Sequence, residues 1–135
     1  MEEIRLIIAG GRDFSDRNLM DIEVSKFISE LVSEFPECNV RIVSGHARGA
    51  DQCSEDYGRD YGYAVYVFPA NWKLYGKRAG YLRNCEMAEF ASEPDSIGAL
   101  IAFWDGKSRG TKHMIDIAES AGLRARVIHY TKEGD

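Results

Sequence analysis

Short apolar segments alternate with segments of helical periodicity along the chain, and this alternation constrains the fold more than any other feature. Five apolar segments predict buried strands at residues 4–9, 40–44, 64–68, 99–103 and 126–129. The segments between them predict a first helix between Asp16 and Pro36, and further helices at residues 50–60, 82–91 and 111–121. Residues 70–80 show neither pattern and are predicted to form an irregular loop.

The resulting β-α-β-α-β-α-β-α-β order predicts a parallel sheet. Right-handed crossover connections between parallel strands place helices on both faces of such a sheet. The expected fold class is therefore α/β: a Rossmann-like, doubly wound parallel sheet of about five strands flanked by helices on both faces. Residues 4–9 are apolar without alternation, so the first strand is expected at the centre of the sheet.

Length and composition favour a single domain over residues 1–135. The chain has 44% hydrophobic and 29% charged residues, which are ordinary values for a globular protein. No apolar run is long enough to span a bilayer and no basic leader precedes one, so we expect a cytoplasmic protein without membrane contact. The three cysteines lack metal-ligand spacing, so no metal site is predicted, and no cofactor is expected. The net charge of -5 disfavours nucleic acid as a partner.

Three strand-to-helix turns combine glycine with Arg or Lys, and all three fall at the carboxyl edge of the predicted sheet. Glycine lets a ligand approach the backbone, and the following helix offers unpaired N–H groups and a positive dipole end to a phosphate. One such turn is better explained as a tight turn, but three together favour a phosphate site. The candidate ligand-binding residues of these turns are Gly10, Gly11, Arg12, Asp13, Ser44, Gly45, Arg48, Gly49, Asp51, Asp105, Gly106, Ser108, Arg109, Gly110 and Thr111.

Common enzyme signatures are missing from these turns. They match neither the GxGxxG fingerprint of dinucleotide-binding folds nor the GK[ST] ending of a P-loop, so a standard dehydrogenase or NTPase is not expected. Ser44 and Ser108 lie outside any GxSxG elbow. His46 and His113 have no carboxylate at a recognisable spacing. The sequence therefore predicts no nucleophile.

The segment 71–78 mixes two aromatic residues with three cations. This composition suits a flap that stacks on a base and holds a phosphate through Trp72, Lys77 and Arg78; the alternative is a surface loop anchored by Trp72 in the core. Arg83 and Asn84 follow at the start of the third long helix and are further candidates. Arg83 can hold a phosphate through two parallel hydrogen bonds, or it can be a solvated arginine at a helix end.

Three aspartates in the glycine turns have alternative roles. Asp51 and Asp105 can accept hydrogen bonds from ribose hydroxyl groups, as acidic residues do in dinucleotide-binding folds. Asp51 can instead complement the positive end of a helix. Asp13 is either a catalytic residue or a turn residue.

Ordered motifs along nearly the whole chain resemble the YspA-like branch of the SLOG superfamily. They are residues 10–14 (GGRDF), 44–51 (SGHARGAD), 68–72 (FPANW), 76–80 (GKRAG), 83–84 (RN) with Met87, 102–106 (AFWDG) and 108–114 (SRGTKHM). That superfamily includes the DNA-processing Smf proteins and the cytokinin-activating LOG phosphoribohydrolases. Its Rossmann-like domains are regarded as binders of nucleotides and nucleotide-derived signals. The resemblance implies a nucleotide or nucleotide-derived small molecule as partner and a homo-oligomer, with a dimer favoured.

The resemblance also shows a departure at the catalytic position of LOG enzymes. Those enzymes carry Arg, Lys and Met on the helix before strand four and then a PGGxGTxxE motif whose Glu is catalytic. Arg83 and Met87 match the first element, with Asn84 in place of Lys, and residues 110–111 match the glycine-threonine of the second. Met114 stands where the Glu is expected. The resemblance therefore implies a phosphate cradle without the known catalytic acid.

These observations lead to three hypotheses. The first is a binding module that senses or sequesters a nucleotide or an ADP-ribose-like ligand. The alternative is a phosphoribohydrolase or related N-glycosidic-bond hydrolase of nucleoside monophosphates, with Arg83, Asp13 and Asp105 as candidate catalytic residues and Asp51 as a further acid. A more distant alternative, single-stranded DNA binding, is disfavoured by the acidic net charge.

Overall fold

The computed structural model describes residues 2–131. The strands are β1 (Glu3–Gly10), β2 (Asn39–Ser44), β3 (Ala64–Val67), β4 (Ser96–Trp104) and β5 (Arg124–His129). The helices are α1 (Arg17–Glu34), α2 (Ala50–Tyr61), α3 (Trp72–Tyr75), α4 (Ala79–Ala91) and α5 (Arg109–Ser120). The strands form one parallel sheet in the order β3-β2-β1-β4-β5, with β1 at the centre as predicted. The α/β, Rossmann-like fold class is confirmed.

Helices cover both faces of the sheet because the strand order reverses once. The helices α1 and α2 pack on one face, against Ile4, Leu6 and Ile8 of β1. The helices α4 and α5 pack on the other face, against Ile7 and Ala9. Burial on both sides explains why β1 is apolar without alternation. The reversal lies between β1 and β4, and open parallel sheets form their ligand crevice at such a switch point.

The carboxyl ends of β1 and β4 approach closely at the switch point. Gly10 is paired with Phe103 across the sheet, and the N–H of Gly11 donates to the carbonyl oxygen of Phe103 at 3.2 Å. A Cβ on Gly10 would lie 2.5 Å from that oxygen and 2.8 Å from the Cβ of Ala50 in α2. Any larger residue would therefore force the strand end and α2 apart.

The prediction of an irregular loop over residues 70–80 is wrong. Residues 72–75 form α3, a 3₁₀ turn (Gly76–Arg78) follows, and α4 begins at Ala79 rather than at residue 82. Asn71 caps α3, because its Oδ1 accepts the N–H of Leu74 at 3.1 Å. Ala79 is buried, which holds the first turn of α4 against the body of the fold.

Other elements are longer than predicted at their amino ends. β4 begins at Ser96, because residues 96–98 pair in register with residues 3–5 of β1 although they are less apolar than the rest of the strand. β5 begins at Arg124 and α5 at Arg109, each two residues before its predicted start. No helix among residues 2–131 combines the length and apolar character that crossing a membrane requires.

Candidate ligand-binding cleft

A cleft of about 630 Å³ opens at the carboxyl ends of β1 and β4. Its walls come from the β1–α1 turn, the start of α2, the segment with α3 and the 3₁₀ turn, the first turns of α4, and the β4–α5 turn. Small-molecule sites in proteins commonly have about 300–1,000 Å³. The crevice is therefore large enough for a nucleotide.

Most of the candidate residues predicted from the sequence line this cleft. They are Gly10, Gly11, Arg12, Asp13, Asp51, Trp72, Lys77, Arg83, Asn84, Asp105, Ser108, Gly110 and Thr111. The candidates that the structure places outside the lining are Ser44, Gly45, Arg48, Gly49, Arg78, Gly106 and Arg109. Four of these seven belong to the turn between β2 and α2. Of the five candidates in and beside this turn, only Asp51 lines the cleft.

The β2–α2 turn is held together by hydrogen bonds away from the cleft. Ser44 is fully buried, and its Oγ donates to Oε2 of Glu55 at 2.8 Å and accepts the N–H of His46 at 3.1 Å. The Nδ1 atom of His46 lies 2.9 Å from the same carboxylate oxygen. A carboxylate partner of His46 could not be predicted, because Glu55 comes nine residues later and its approach depends on how α2 crosses β2. Ser44 thus supports the turn.

Gly49 is the point at which this turn packs against the β1–α1 turn. Its φ of +78° is a conformation that other residues rarely adopt. A Cβ at this position would overlap the carbonyl oxygen of Gly11 and lie 2.5 Å from the carbonyl carbon of Arg12. The next residue, Ala50, donates its N–H to the same Gly11 oxygen at 3.1 Å. Gly49 therefore shapes the cleft wall through close packing of two backbones.

Arg83 is a half-buried guanidinium group in the wall of the cleft. It donates from Nη1 to the carbonyl oxygen of Gly45 and from Nε to Oδ1 of Asn84, the latter at 3.1 Å. Among residues 2–131, no carboxylate oxygen lies within 4.0 Å of a guanidinium nitrogen of Arg83, the distance that defines an ion pair. Burial lowers the pKa of Arg83 below its ordinary value, while the attraction of Asp51 opposes this change. The cleft wall thus contains a partly desolvated positive charge without a paired anion in the described part of the chain.

Asp51 lines the cleft from the first turn of α2 and is 6% exposed. Its Oδ2 accepts the N–H of Ala47 at 3.1 Å. Burial raises the pKa of Asp51 to about 6, although the Ala47 N–H and the charges of Arg83 and Arg12 favour the ionised form. The carboxylate of Glu55 adds to the increase. Asp51 is therefore a buried carboxyl group that changes its charge just below neutral pH.

The β4–α5 turn presents the N-terminus of α5 to the cleft. Asp105 accepts the N–H groups of Lys107 and Ser108, both at 2.8 Å, and the side chain of Ser108 caps the helix by accepting the N–H of Thr111. No atom lies within 4 Å of the position that a Cβ on Gly110 would occupy. This open space beside a helix N-terminus suits a phosphate group.

Asn84 fixes α4 against the same turn. Its Nδ2 donates to the carbonyl oxygen of Gly110 at 3.2 Å and lies 3.2 Å from Nδ1 of His113. Burial lowers the pKa of His113, which favours the neutral ring that can accept this hydrogen bond. Asn84 thus positions Gly110 at the cleft.

One face of α4 lines the cleft through residues spaced as neighbours on a helix, namely Gly80, Arg83, Asn84 and Met87. Tyr81 lines it as well and is 43% exposed. Gly80 and Tyr81 are not among the predicted site residues, because this helix was predicted to begin at residue 82. The spacing from residue 80 to residue 87 was the signal that could have found them.

Trp72 lies at the rim of the cleft with 48% of its surface exposed, so the alternative that it anchors a loop in the core is wrong. The guanidinium carbon of Arg12 lies 5.5 Å from the centre of a Trp72 ring. Lys77 lines the cleft on the same side. An exposed indole beside cations offers a flat surface for a base.

Asp13 accepts a hydrogen bond from Tyr130, a residue that was not among the predicted site residues. The hydroxyl group of Tyr130 donates to Oδ1 of Asp13 at 2.6 Å. Burial, and then the contact with Asp13, raise the pKa of Tyr130 above its ordinary value. The N–H of Tyr130 donates to the carbonyl oxygen of Trp104 at 3.2 Å, and this pairing brings the end of β5 to the cleft edge.

Met87 and Met114 form an apolar part of the lining and are almost fully buried. Met114 occupies the position at which LOG enzymes carry their catalytic Glu. Asp116, the next acidic residue of α5, is exposed and forms an ion pair with Lys112 at 2.5 Å. The cleft therefore has no carboxylate at the LOG position and none supplied from Asp116.

Comparison with known proteins identifies the family of the chain. The sequence model of the YspA, cpYpsA-related SLOG family matches residues 4–75, which include β1, β2 and the turns that follow them. The Gene 61 protein of Mycobacterium phage D29 is 32% identical over 124 residues, which cover 88% of this chain and 91% of the phage protein. No solved structure matches the chain significantly.

Proposed function

Because the chain belongs to the YspA, cpYpsA-related SLOG family, we propose that its cleft binds a nucleotide or a nucleotide-derived ligand through the phosphate of that ligand. The family and the Rossmann-like sheet fit a nucleotide-related binding module. Within that class, an ADP-ribose-like molecule matches the size of the cleft, and the protein acts as a sensor or a sequestering module.

The observation that carries this proposal is the environment of Arg83. A guanidinium group that is partly removed from water favours an anion beside it, and no described carboxylate forms that pair. Its hydrogen bonds to Gly45 and Asn84 use two of its five N–H donors, which leaves donors for a phosphate. Arg83 and the open N-terminus of α5 at Gly110 line the same cleft. These two features would hold one phosphate between them.

The other walls suit the rest of a nucleotide. Trp72 and Tyr81 offer exposed aromatic rings for a base. Asp13 and Asp105 also line the cleft and carry carboxylate oxygens that can accept hydrogen bonds from ribose hydroxyl groups. In this arrangement the phosphate lies between α4 and α5, and the nucleoside extends toward the rim.

Arg83→Ala is expected to weaken binding of the phosphate ligand by about 10- to 100-fold, because a charge-assisted hydrogen bond contributes roughly 1.5–3 kcal/mol. Isothermal titration calorimetry with AMP, ADP-ribose and NAD measures the loss. Arg59→Ala is the matched control, because Arg59 is exposed and lies near the carboxyl end of α2, outside the cleft lining. Equal affinities of wild type and Arg83→Ala would contradict the proposed phosphate position.

Native mass spectrometry of protein taken directly from cells tests the ligand class. A bound mass that fragments into a base and a phosphate-containing group is expected. If no nucleotide co-purifies and none of the three compounds binds in the titrations, the proposal fails.

A second candidate, hydrolysis of an N-glycosidic bond, is favoured by Asp51. A buried carboxyl group with a pKa of about 6 suits a general acid that protonates a departing base. Incubation with AMP or ADP-ribose, followed by chromatography for free adenine, separates the two candidates. We expect no adenine. Release of adenine that is lost in Asp51→Asn and retained in Asp56→Asn would establish the hydrolase instead.

A further inference from the structure

We infer that the cleft selects phosphate diesters over phosphate monoesters and that Asp51 sets this selectivity. The inference rests on the proposed phosphate site and names the class of phosphate that the site accepts. Diesters include cyclic nucleotides, and pyrophosphate-bridged molecules resemble them because each of their phosphates has one ester and one anhydride link. In each of them a phosphate carries one negative charge at neutral pH, whereas a monoester carries about 1.5 to 2.

Asp51 and a phosphate bound in the cleft would share one cation, Arg83, because Asp51 and Arg83 both line the cleft. Asp51 is the charged group that acts most strongly on Arg83, and Arg83 is the cation that acts most strongly on Asp51. The two are not in ion-pair contact, since no distance between their charged atoms is within 4.0 Å. A phosphate that binds Arg83 would therefore lie near a second negative charge.

Asp51 cannot escape this repulsion by moving into solvent. It is 6% exposed and is held by the N–H of Ala47. Glu55, on the same helix, adds further negative potential. Charges interact strongly in such a buried position because little water screens them. Asp51 therefore repels each additional negative charge on a phosphate that is bound at Arg83.

The charge balance of the cleft also bears on the charge of the ligand phosphate. The described lining residues include four cations, Arg12, Lys77, Arg83 and Lys107, and three carboxylates, Asp13, Asp51 and Asp105. The excess is one positive charge when all three carboxylates are ionised. Arg12, Asp13, Lys77 and Lys107 are exposed, so solvent screens the charges of all four. The less exposed Arg83 therefore shares the cleft with two less exposed carboxylates, Asp51 and Asp105, which favours a phosphate with one charge over a dianion.

The test compares pairs of ligands that differ by one ester group. Nucleoside 5′-monophosphates with each of the four common bases and their 5′-methyl phosphodiesters are titrated into wild type and Asp51→Asn at pH 8, where the monoesters are dianions. Asparagine keeps a side-chain oxygen that can accept the N–H of Ala47. Asp56→Asn, on the exposed side of α2, is the matched control.

For at least one base, wild type should bind the diester at least tenfold more tightly than the monoester. In Asp51→Asn this ratio should fall at least threefold, mainly because the monoester binds better, whereas Asp56→Asn should keep the wild-type ratio. Wild-type binding of the monoester as tight as that of the diester would overturn the inference without any variant. An unchanged ratio in Asp51→Asn would overturn the role of Asp51. Absence of all phosphate binding would instead refute the proposed function itself.

Discussion

A Gly49→Ala variant is expected to lose about 3–5 kcal/mol of folding stability, which corresponds to a melting temperature roughly 10–20 °C lower. Two costs combine at this residue. Its φ of +78° strains any residue with a Cβ, and the added methyl group would overlap the backbone of Gly11 and Arg12. The β1–α1 and β2–α2 turns would have to separate, because their contact consists of backbone that has little room to rearrange. Urea denaturation followed by circular dichroism measures the loss.

Gly110→Ala is the control for this prediction. Gly110 also follows a strand in a glycine-containing turn, but its φ is not positive and no atom lies within 4 Å of the position of an added Cβ. We expect its unfolding free energy to stay within about 1 kcal/mol of wild type, since alanine is a better helix former than glycine. Equal stability of Gly49→Ala and wild type would show that the two turns are not packed as described.

The same contrast explains what the sequence could and could not predict about the glycine turns. Glycine followed by a helix correctly marked three turns at the carboxyl edge, because the β-α alternation fixes where each strand ends. The sequence could not distinguish a glycine that packs against backbone, such as Gly49, from one that faces open space, such as Gly110. That difference depends on the separation between neighbouring turns, which the order of residues does not encode locally.

The fold was more predictable than the details of the cleft wall. Apolar runs predicted each strand and the central position of β1, because a strand covered on both faces has to be apolar throughout. Residues 70–80 have no apolar periodicity, so their short helix and the early start of α4 were missed. The contacts between Tyr130 and Asp13 and between His46 and Glu55 join distant segments. Only the packing of β5 and α2 reveals them.

Asp51→Asn is expected to raise the free energy of unfolding at pH 7.5 by up to about 3 kcal/mol. The pKa of this carboxyl group rises from 3.8 to about 6 on folding, and each pKa unit corresponds to about 1.4 kcal/mol. The folded protein therefore holds the proton more tightly than the unfolded chain does. The stabilising contribution of the protonated group is complete below about pH 4 and is lost as the pH rises through 6. Asparagine is uncharged and avoids this loss.

The pH dependence separates this mechanism from a general improvement in packing. Arg83 on α4 and Arg12 on the β1–α1 turn attract the Asp51 carboxylate, and Glu55 on α2 repels it, so the pKa of about 6 reflects these charges as well as burial. The difference in unfolding free energy between Asp51→Asn and wild type should be small at pH 4 and grow up to about pH 7. Urea titrations across this range measure it, with Asp56→Asn expected to follow wild type. A difference that is independent of pH would mean that Asp51 is not a destabilising buried charge, and it would remove the electrostatic basis for the proposed preference for diesters.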